Sequence, residues 1–330
     1  MSSNPTTITA DDGQELVVNK VPLWRRRKAA ANYIALLPYV FFALFPFYIM
    51  FITSIKTDQE INNLGQSPFW ATGIATEHYV YLASNTSFFQ HWFVNTLIVT
   101  VAVTIISVSV GILAAYALAR LRFRGVEVFG VAVFITYLIP QTLLFIPLID
   151  VINTIDDYVP IRDTYWSLIL TYPTFLIPFV TWLLMGYFKT IPVEVEECAY
   201  LDGCSRLGAL FRVVLPMAIP GIMCAILFSI TLSWNELLYS LVFIQDETAK
   251  TISVGVITEL IRGDIYYWGS LMAACFIGAL PIIMIYGFFM DYFTSGLTAG
   301  RVDRVTAFAH TALRELKPFL VTCQRVRSVD

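Results

Sequence analysis

The spacing of its charges constrains this chain more than any other feature. Asp, Glu, Lys and Arg are absent from six long stretches, residues 29–55, 78–119, 128–149, 164–188, 213–235 and 265–290, and no other charge-free stretch reaches 18 residues. The hydrocarbon core of a bilayer is about 30 Å thick and takes roughly 20 apolar helical residues to cross. Each stretch is therefore long enough for one span, and the longest is read as a single helix entered through His91 and Trp92. The nearest remaining stretch, 61–76, contains Asn62, Asn63, Gly65, Gln66, Ser67 and Pro68 and reads as loop. Composition agrees: of 330 residues, 57% are hydrophobic and 14% charged, against roughly 45–50% and about 25% in soluble domains. Mean hydropathy is +0.69. These values exclude a disordered chain, a disulfide scaffold and a nucleic-acid binder built on a strongly basic surface. The expected fold is an all-α polytopic membrane protein with six transmembrane helices.

Orientation follows from Lys and Arg, which are retained on the cytoplasmic side. Of the seven segments outside the spans, the odd-numbered ones hold seventeen Lys and Arg and the even-numbered ones four. Both termini are therefore expected to be cytoplasmic. Arg25, Arg26, Arg27 and Lys28 precede the first span, Arg120, Arg122 and Arg124 follow the second, and Lys189, Arg206 and Arg212 follow the fourth. The first apolar stretch, at 27 residues, exceeds the 7–15-residue apolar region of a signal peptide and reads as a retained anchor. Five cysteines are an odd number and none lies in an outer loop, so structural disulfides are not expected.

Three regions are expected: a polar cytoplasmic tail (1–28), a six-span unit (29–300) and a C-terminal extension (301–330). The first helix covers about residues 33–54. The outer segment 56–90 carries Phe69, Trp70, Tyr79, Tyr81, Phe88 and Phe89, enough apolar surface to fold onto a membrane or a partner. Prolines recur in the spans: Pro38, Pro46, Pro140, Pro147, Pro173, Pro178, Pro216, Pro220 and Pro281. They suit helices that bend along a moving pathway, or they reflect the general frequency of proline in membrane helices.

The inner loop 189–212 has helical grammar of its own. Pro192 suits a first turn, and Glu194, Glu196 and Glu197 stand where a helix macrodipole favours negative charge. Gly203 can take the left-handed conformation that stops a helix, and Ser205 can cap the next one. Two short helices joined by a tight bend at Gly203 are expected, either as a rigid docking surface or as a plain connector.

The run Glu197-Cys198-Ala199-Tyr200-Leu201-Asp202-Gly203, followed after nine residues by Val213-Val214-Leu215-Pro216, resembles the Glu-Ala-Ala-x-x-Asp-Gly motif of permease subunits in binding-protein-dependent ABC importers. Cys198 stands where the family usually has Ala. Asn95-Thr96-Leu97, the run Ala115-Tyr116-Ala117-Leu118-Ala119-Arg120, Trp234-Asn235-Glu236 and Gly296-Leu297-Thr298-Ala299-Gly300 are similar to the maltose-type carbohydrate branch. The resemblance spans roughly residues 30 to 300. It implies a type I importer permease fold in the plasma (inner) membrane of a prokaryote. Its implied partners are a second related permease, two ATP-binding subunits and an extracytoplasmic sugar-binding protein. It makes 189–212 the coupling loop, whose helix sits in a groove of the ATPase. Glu197, Ala199, Asp202, Gly203, Leu215 and Pro216 are the matching positions.

A carboxamide and a carboxylate in the outer half of the fifth span are costly unless they face water or a partner. Trp234, Asn235 and Glu236 are therefore candidates for a sugar path, with an interfacial Trp beside polar helix-end residues as the alternative. His78, His91 and His310 are far apart and no cluster has metal-ligand spacing. The chain contains no Gly-x-x-x-x-Gly-Lys-Ser/Thr loop, so no cofactor is expected on it, and ATP and Mg belong to the partner ATPase. His-Glu-x-x-His and Gly-x-Ser-x-Gly are also absent, so the chain is read as a transport subunit and not an enzyme. No nucleic acid partner is expected. A polyol or glycerophosphate importer is the alternative within the class. An ion-coupled secondary transporter and a membrane transferase are the alternatives outside it. In the extension, Val305, Phe308, Ala309, Ala312, Leu313 and Leu316 recur at helical spacing, giving an amphipathic segment that could lie on the inner membrane surface or touch the ATPase, with a dispensable extension as the alternative.

Overall fold

The computed structural model describes residues 6–9, 15–18, 23–84, 88–262 and 265–297. Helices α1 (Leu23–Ser54), α2 (Asp58–Asn62), α3 (Glu77–Ala83), α4 (Phe89–Arg120), α5 (Val126–Leu138), α6 (Gln141–Asp156), α7 (Tyr165–Thr171) and α8 (Pro173–Phe188) precede the loop at 189–192. Then come α9 (Val193–Leu201), α10 (Arg206–Ala209), a π-helical turn at Leu210–Val214, α11 (Leu215–Met217), α12 (Ile219–Trp234), α13 (Leu238–Phe243), α14 (Ile252–Leu260) and α15 (Trp268–Leu297). Strands β1 (Thr6–Thr9) and β2 (Glu15–Val18) form an antiparallel pair, as do the two-residue strands β3 (Ile261–Arg262) and β4 (Ile265–Tyr266). Thr6, Thr7, Ile8 and Thr9 pair with Val18, Val17, Leu16 and Glu15 across the ladder, and β-branched residues favour strands. The C-terminal extension, with its expected amphipathic segment, and Thr298-Ala299-Gly300 lie outside the described residues.

Among the described residues, four helical stretches are long and apolar enough to cross a membrane: Ala31–Ser54, Phe89–Arg120, Tyr165–Phe188 and Trp268–Met290. The other two expected spans are bent pairs. Val126–Leu138 and Gln141–Asp156 meet at 96°, and Arg206–Met217 and Ile219–Trp234 meet at 81°, so the count is four, or up to six if each pair is one span. Proline supplies both bends. Pro140 pushes Ile139 into extended backbone (φ −67°, ψ 125°). Pro220 cannot donate to the carbonyl one turn earlier, and Ala218 takes up the break (φ −90°, ψ 2°). Pro38, Pro46, Pro147, Pro178 and Pro281, by contrast, sit inside continuous helices.

Helix α4 is the hub and packs on α7, α8, α12 and α14. Close approach of α4 and α8 depends on Gly111, where an added Cβ would lie 2.5 Å from Val180 Cγ1. Without water to drive helices together, such small-residue contacts carry much of the packing in a bilayer. Toward the loop 189–212, Tyr116, Leu184, Phe188, Ile191, Leu210 and Val214 form one core. At the far end, Val103, Leu168, Tyr172, Leu176 and Tyr239 form a second, and Trp92, Ile252, Leu260 and Leu271 a third. Thr100, Thr104 and Ser107 on α4, Thr181 on α8 and Ser229 on α12 are buried hydroxyls with no hydrogen-bond partner among the described residues.

The segment after α1 folds back onto the bundle. Lys56 donates to Ser67 O (2.6 Å), Glu60 Oε1 accepts from Thr72 N (2.9 Å), and Tyr79 and Ser54 share a 2.7 Å hydrogen bond. His78 lies between Lys56 O (2.8 Å) and Ser270 Oγ (3.2 Å), tying α3 to α15. The strap 246–252 is laced to α4. Trp92 Nε1 donates to Glu247 O (2.7 Å), Asn95 Nδ2 to Thr248 O (2.8 Å), and Thr96 Oγ1 accepts from Ile252 N (2.8 Å). Helix α1 contrasts with this: Tyr33, Leu37, Phe41 and Leu44 are exposed, and its packing on α15 includes Phe51 against Phe276.

Candidate functional site

The loop 189–212 is a bent pair of short helices, α9 and α10. Pro192 is the N-cap residue of α9, and Ser205 Oγ caps α10 by accepting from Gly208 N (3.1 Å). The bend is a left-handed stop at Gly203, φ +84°. Its N–H donates to Tyr200 O (3.0 Å) while the Cys204 N–H reaches back to Ala199 O (2.9 Å), the paired bonds that satisfy orphan carbonyls at a helix end.

One face of this element is buried. Glu196 is 2% exposed and pairs with Arg120 at the end of α4, Nε to Oε1. Tyr116 donates to Glu196 Oε2 (3.1 Å) and lies 3.2 Å from the Tyr200 hydroxyl. Arg120 Nη2 also donates to Ile191 O (2.7 Å), so one guanidinium holds both the helix and the chain leading into it. Ala199 is buried beside Glu196. A buried carboxylate is tolerated only when paired and hydrogen-bonded, and here both conditions hold. The element is thus clamped onto the end of a membrane-crossing helix.

The other face is exposed, with apolar and charged side chains side by side. Leu201 is 85% exposed, Leu207 60% and Phe211 59%, with Glu197, Asp202 and Gly203 alongside. Leu215 and Pro216 are half-buried where the loop turns into α12. Of the sequence-derived set, Glu197, Asp202 and Gly203 therefore share the open face, whereas Ala199 belongs to the buried side. Sequence reasoning assigned Glu196 to the helix macrodipole and missed its role in the clamp. Arg120 and Tyr116 enter the sequence reading as a cytoplasmic charge and as parts of the Ala115–Arg120 run, and Tyr200 as part of the Glu197–Gly203 run, with no contact to Glu196 expected.

The second candidate set is divided by the structure. Trp234 is buried, edge-on to Phe93 at 5.8 Å, and donates to Gly278 O (3.1 Å). Glu236 is buried and occupied: it accepts from the Tyr172 hydroxyl (2.9 Å), Tyr239 N (3.0 Å) and Ser240 N (3.3 Å), capping α13. Asn235 is exposed, bonds Thr231 O (2.8 Å), and lines a largely apolar cavity of about 450 Å³ with Phe47, Leu237, Ser253 and Cys275. Trp234 lines the same cavity but is buried, so Asn235 is the exposed one of the three side chains.

Residues 107–299 match the family described as "Binding-protein-dependent transport system inner membrane component". The chain belongs to this family. The permease is 35% identical over 274 residues to the inner membrane ABC transporter permease protein YcjP of Escherichia coli K12, an overlap of 82% of this chain and 95% of that one. It is 32% identical over 259 residues to the trehalose/maltose transport system permease protein MalG of Thermococcus litoralis, covering 78% and 90%. A crystal structure of a bacterial ABC transporter involved in import of the acidic polysaccharide alginate contains a chain of the same fold. Its TM-score is 0.67 at 22% identity, covering 84% of this permease and all of that chain. As a family member the chain is a membrane permease of ABC transport and not itself an enzyme. The matched region contains the clamp and both candidate sets.

Proposed function

We infer that this permease is one of two related membrane subunits of an ATP-driven carbohydrate importer. Six spans would place both termini and the loop 189–212 in the cytoplasm. Two ATP-binding subunits, which use ATP and Mg, would dock on residues 193–209, and an extracytoplasmic binding protein would deliver the sugar at the opposite end. Relatives named for trehalose, maltose and diacetylchitobiose support a carbohydrate substrate. The observation that carries the reading is the two-faced loop: an exposed apolar knob of Leu201, Leu207 and Phe211, rigidly tied by Glu196 and Arg120 to α4. Closure of the motor pulls on the knob, the clamp passes the displacement to α4, and the bent pairs rearrange so that the path opens alternately to either side.

Binding assays on the partner receptor with a panel of mono- and oligosaccharides, polyols and glycerophosphodiesters, followed by uptake in cells with and without this permease, test the proposal. Uptake of a saccharide that needs both proteins and ATP supports it. A receptor that binds only a polyol or glycerophosphodiester overturns the carbohydrate assignment. Uptake that survives ATP depletion while following an ion gradient overturns the mechanism.

A further inference from the structure

At the loop end of the bundle, α4, α5, α8 and Lys189, the first residue of the loop 189–212, line an open cavity of about 320 Å³. This is at the lower end of the roughly 300–1,000 Å³ range of small-molecule sites. Its walls include Leu118, Val131, Phe134, Trp182 and Met185. Trp182 stacks on Tyr137 at 6.3 Å and packs against Phe134 at 5.7 Å, yet remains 43% exposed. Two charges of opposite sign line the same cavity: Glu127 in the first turn of α5 and Lys189 at the end of α8. Among the described residues neither forms a salt bridge, with the other or with any third group. Arg122 and Arg124, both exposed, occupy the turn that leads into α5.

Charges at the ends of membrane helices sit at headgroup depth, and basic pockets between helices there bind lipid phosphates. A purely anionic lipid would leave Glu127 facing its phosphate. A lipid carrying both a phosphate and a primary ammonium satisfies both side chains at once, with its acyl chains running along Trp182 and Phe134. We propose that this cavity is a binding site for an aminophospholipid of the phosphatidylethanolamine type. Lys189 takes the phosphate, Glu127 takes the ammonium, and Trp182 lies against the acyl chain. The reading of the loop end as cytoplasmic decides only which leaflet supplies the lipid; the headgroup preference follows from the cavity itself.

Trp182 is its own probe, because brominated acyl chains quench indole fluorescence on contact. The assembled importer is placed in phosphatidylcholine nanodiscs containing equal mole fractions of brominated phosphatidylethanolamine, phosphatidylglycerol or phosphatidylcholine. The Trp182 contribution is obtained as the difference from Trp182→Phe. Phosphatidylcholine shares the phosphate and the positive charge and lacks only N–H donors, so the preference rests on the hydrogen bonds to Glu127 and should be about threefold for phosphatidylethanolamine over phosphatidylcholine. Glu127→Gln should abolish most of that preference, whereas Lys189→Gln should weaken quenching by all three lipids, both with unchanged melting temperature. Equal quenching by all three lipids overturns the proposal, as does stronger quenching by phosphatidylglycerol, which would make the basic turn the only determinant. Absence of quenching by any lipid also overturns it and assigns the cavity to a protein neighbour. Loss of headgroup preference with saccharide uptake intact would refute this site and leave the transport reading standing.

Discussion

Breaking the clamp between α4 and α9 from either side should cost far more than breaking it from both sides together. Glu196 is 2% exposed, and the Arg120 side chain is 8% exposed. In Arg120→Met the carboxylate keeps only tyrosine hydroxyls as partners, and Ile191 O loses its donor. Stranding one member of a buried pair typically costs about 3–5 kcal/mol, whereas replacing both members with apolar groups of similar volume is often close to neutral. Glu196→Leu should likewise cost about 3–5 kcal/mol by leaving a buried guanidinium. The two single costs sum to about 6–10 kcal/mol, so a double substitution that stays close to neutral recovers most of that sum, a coupling larger than the roughly 0.5–3 kcal/mol usual for contacting residues. Unfolding of the purified permease in mixed micelles measures all four corners of the cycle. Substrate-stimulated ATP hydrolysis by the assembled importer, measured on the same proteins, reports whether the clamp transmits force. Single substitutions that each cost under about 1 kcal/mol, or costs that simply add, would refute the reasoning that the pair is a buried unit.

Further outcomes follow from other parts of the molecule. Gly203→Ala forces a Cβ into left-handed backbone and should cost about 1–2 kcal/mol; Gly203→Pro also removes the donor to Tyr200 O, so it should insert normally yet abolish uptake, checked by membrane fractionation and transport assay. Gly111→Val drives a side chain into Val180 and should destabilise by about 1–3 kcal/mol or more, read by thermal unfolding in detergent. Asn235→Ala should alter saccharide uptake at unchanged stability. Glu236→Ala should instead lower stability by about 1–3 kcal/mol, because it leaves the Tyr172 hydroxyl and the Tyr239 and Ser240 amides without their acceptor.

The charge-free stretches made the helical bundle legible, because the length a helix needs to cross hydrocarbon is written directly in the distance between charges. Gly203 and Ser205 were legible for a local reason: a left-handed stop and an N-cap need particular residues wherever they occur, and both lie where the sequence placed them. The angles at Pro140 and Ala218 were not legible. Pro147 and Pro178 are chemically identical to Pro140, yet they stay within helices; neighbouring helices decide which proline becomes a break. The clamp was hidden for a similar reason. Glu194, Glu196 and Glu197 look alike in sequence, and only the packing of α9 on α4, across a separation of 76 residues, selects Glu196 for burial beside Arg120. Glu236 was ambiguous for the opposite reason. A polar residue at a span's end signals either a solute or a cap, and the α13 backbone that it caps begins two residues later.

The central claim is that the exposed face of residues 193–209 lies in the cytoplasm and is covered by the motor. Leu201→Cys, in a permease whose native cysteines are replaced by serine, can be labelled with a membrane-impermeant maleimide in intact cells, in inside-out vesicles, and in vesicles with and without the ATP-binding subunits. The account predicts labelling only in inside-out vesicles, with strong protection once the ATP-binding subunits assemble. Labelling in intact cells, or a rate in inside-out vesicles that assembly leaves unchanged, would contradict it.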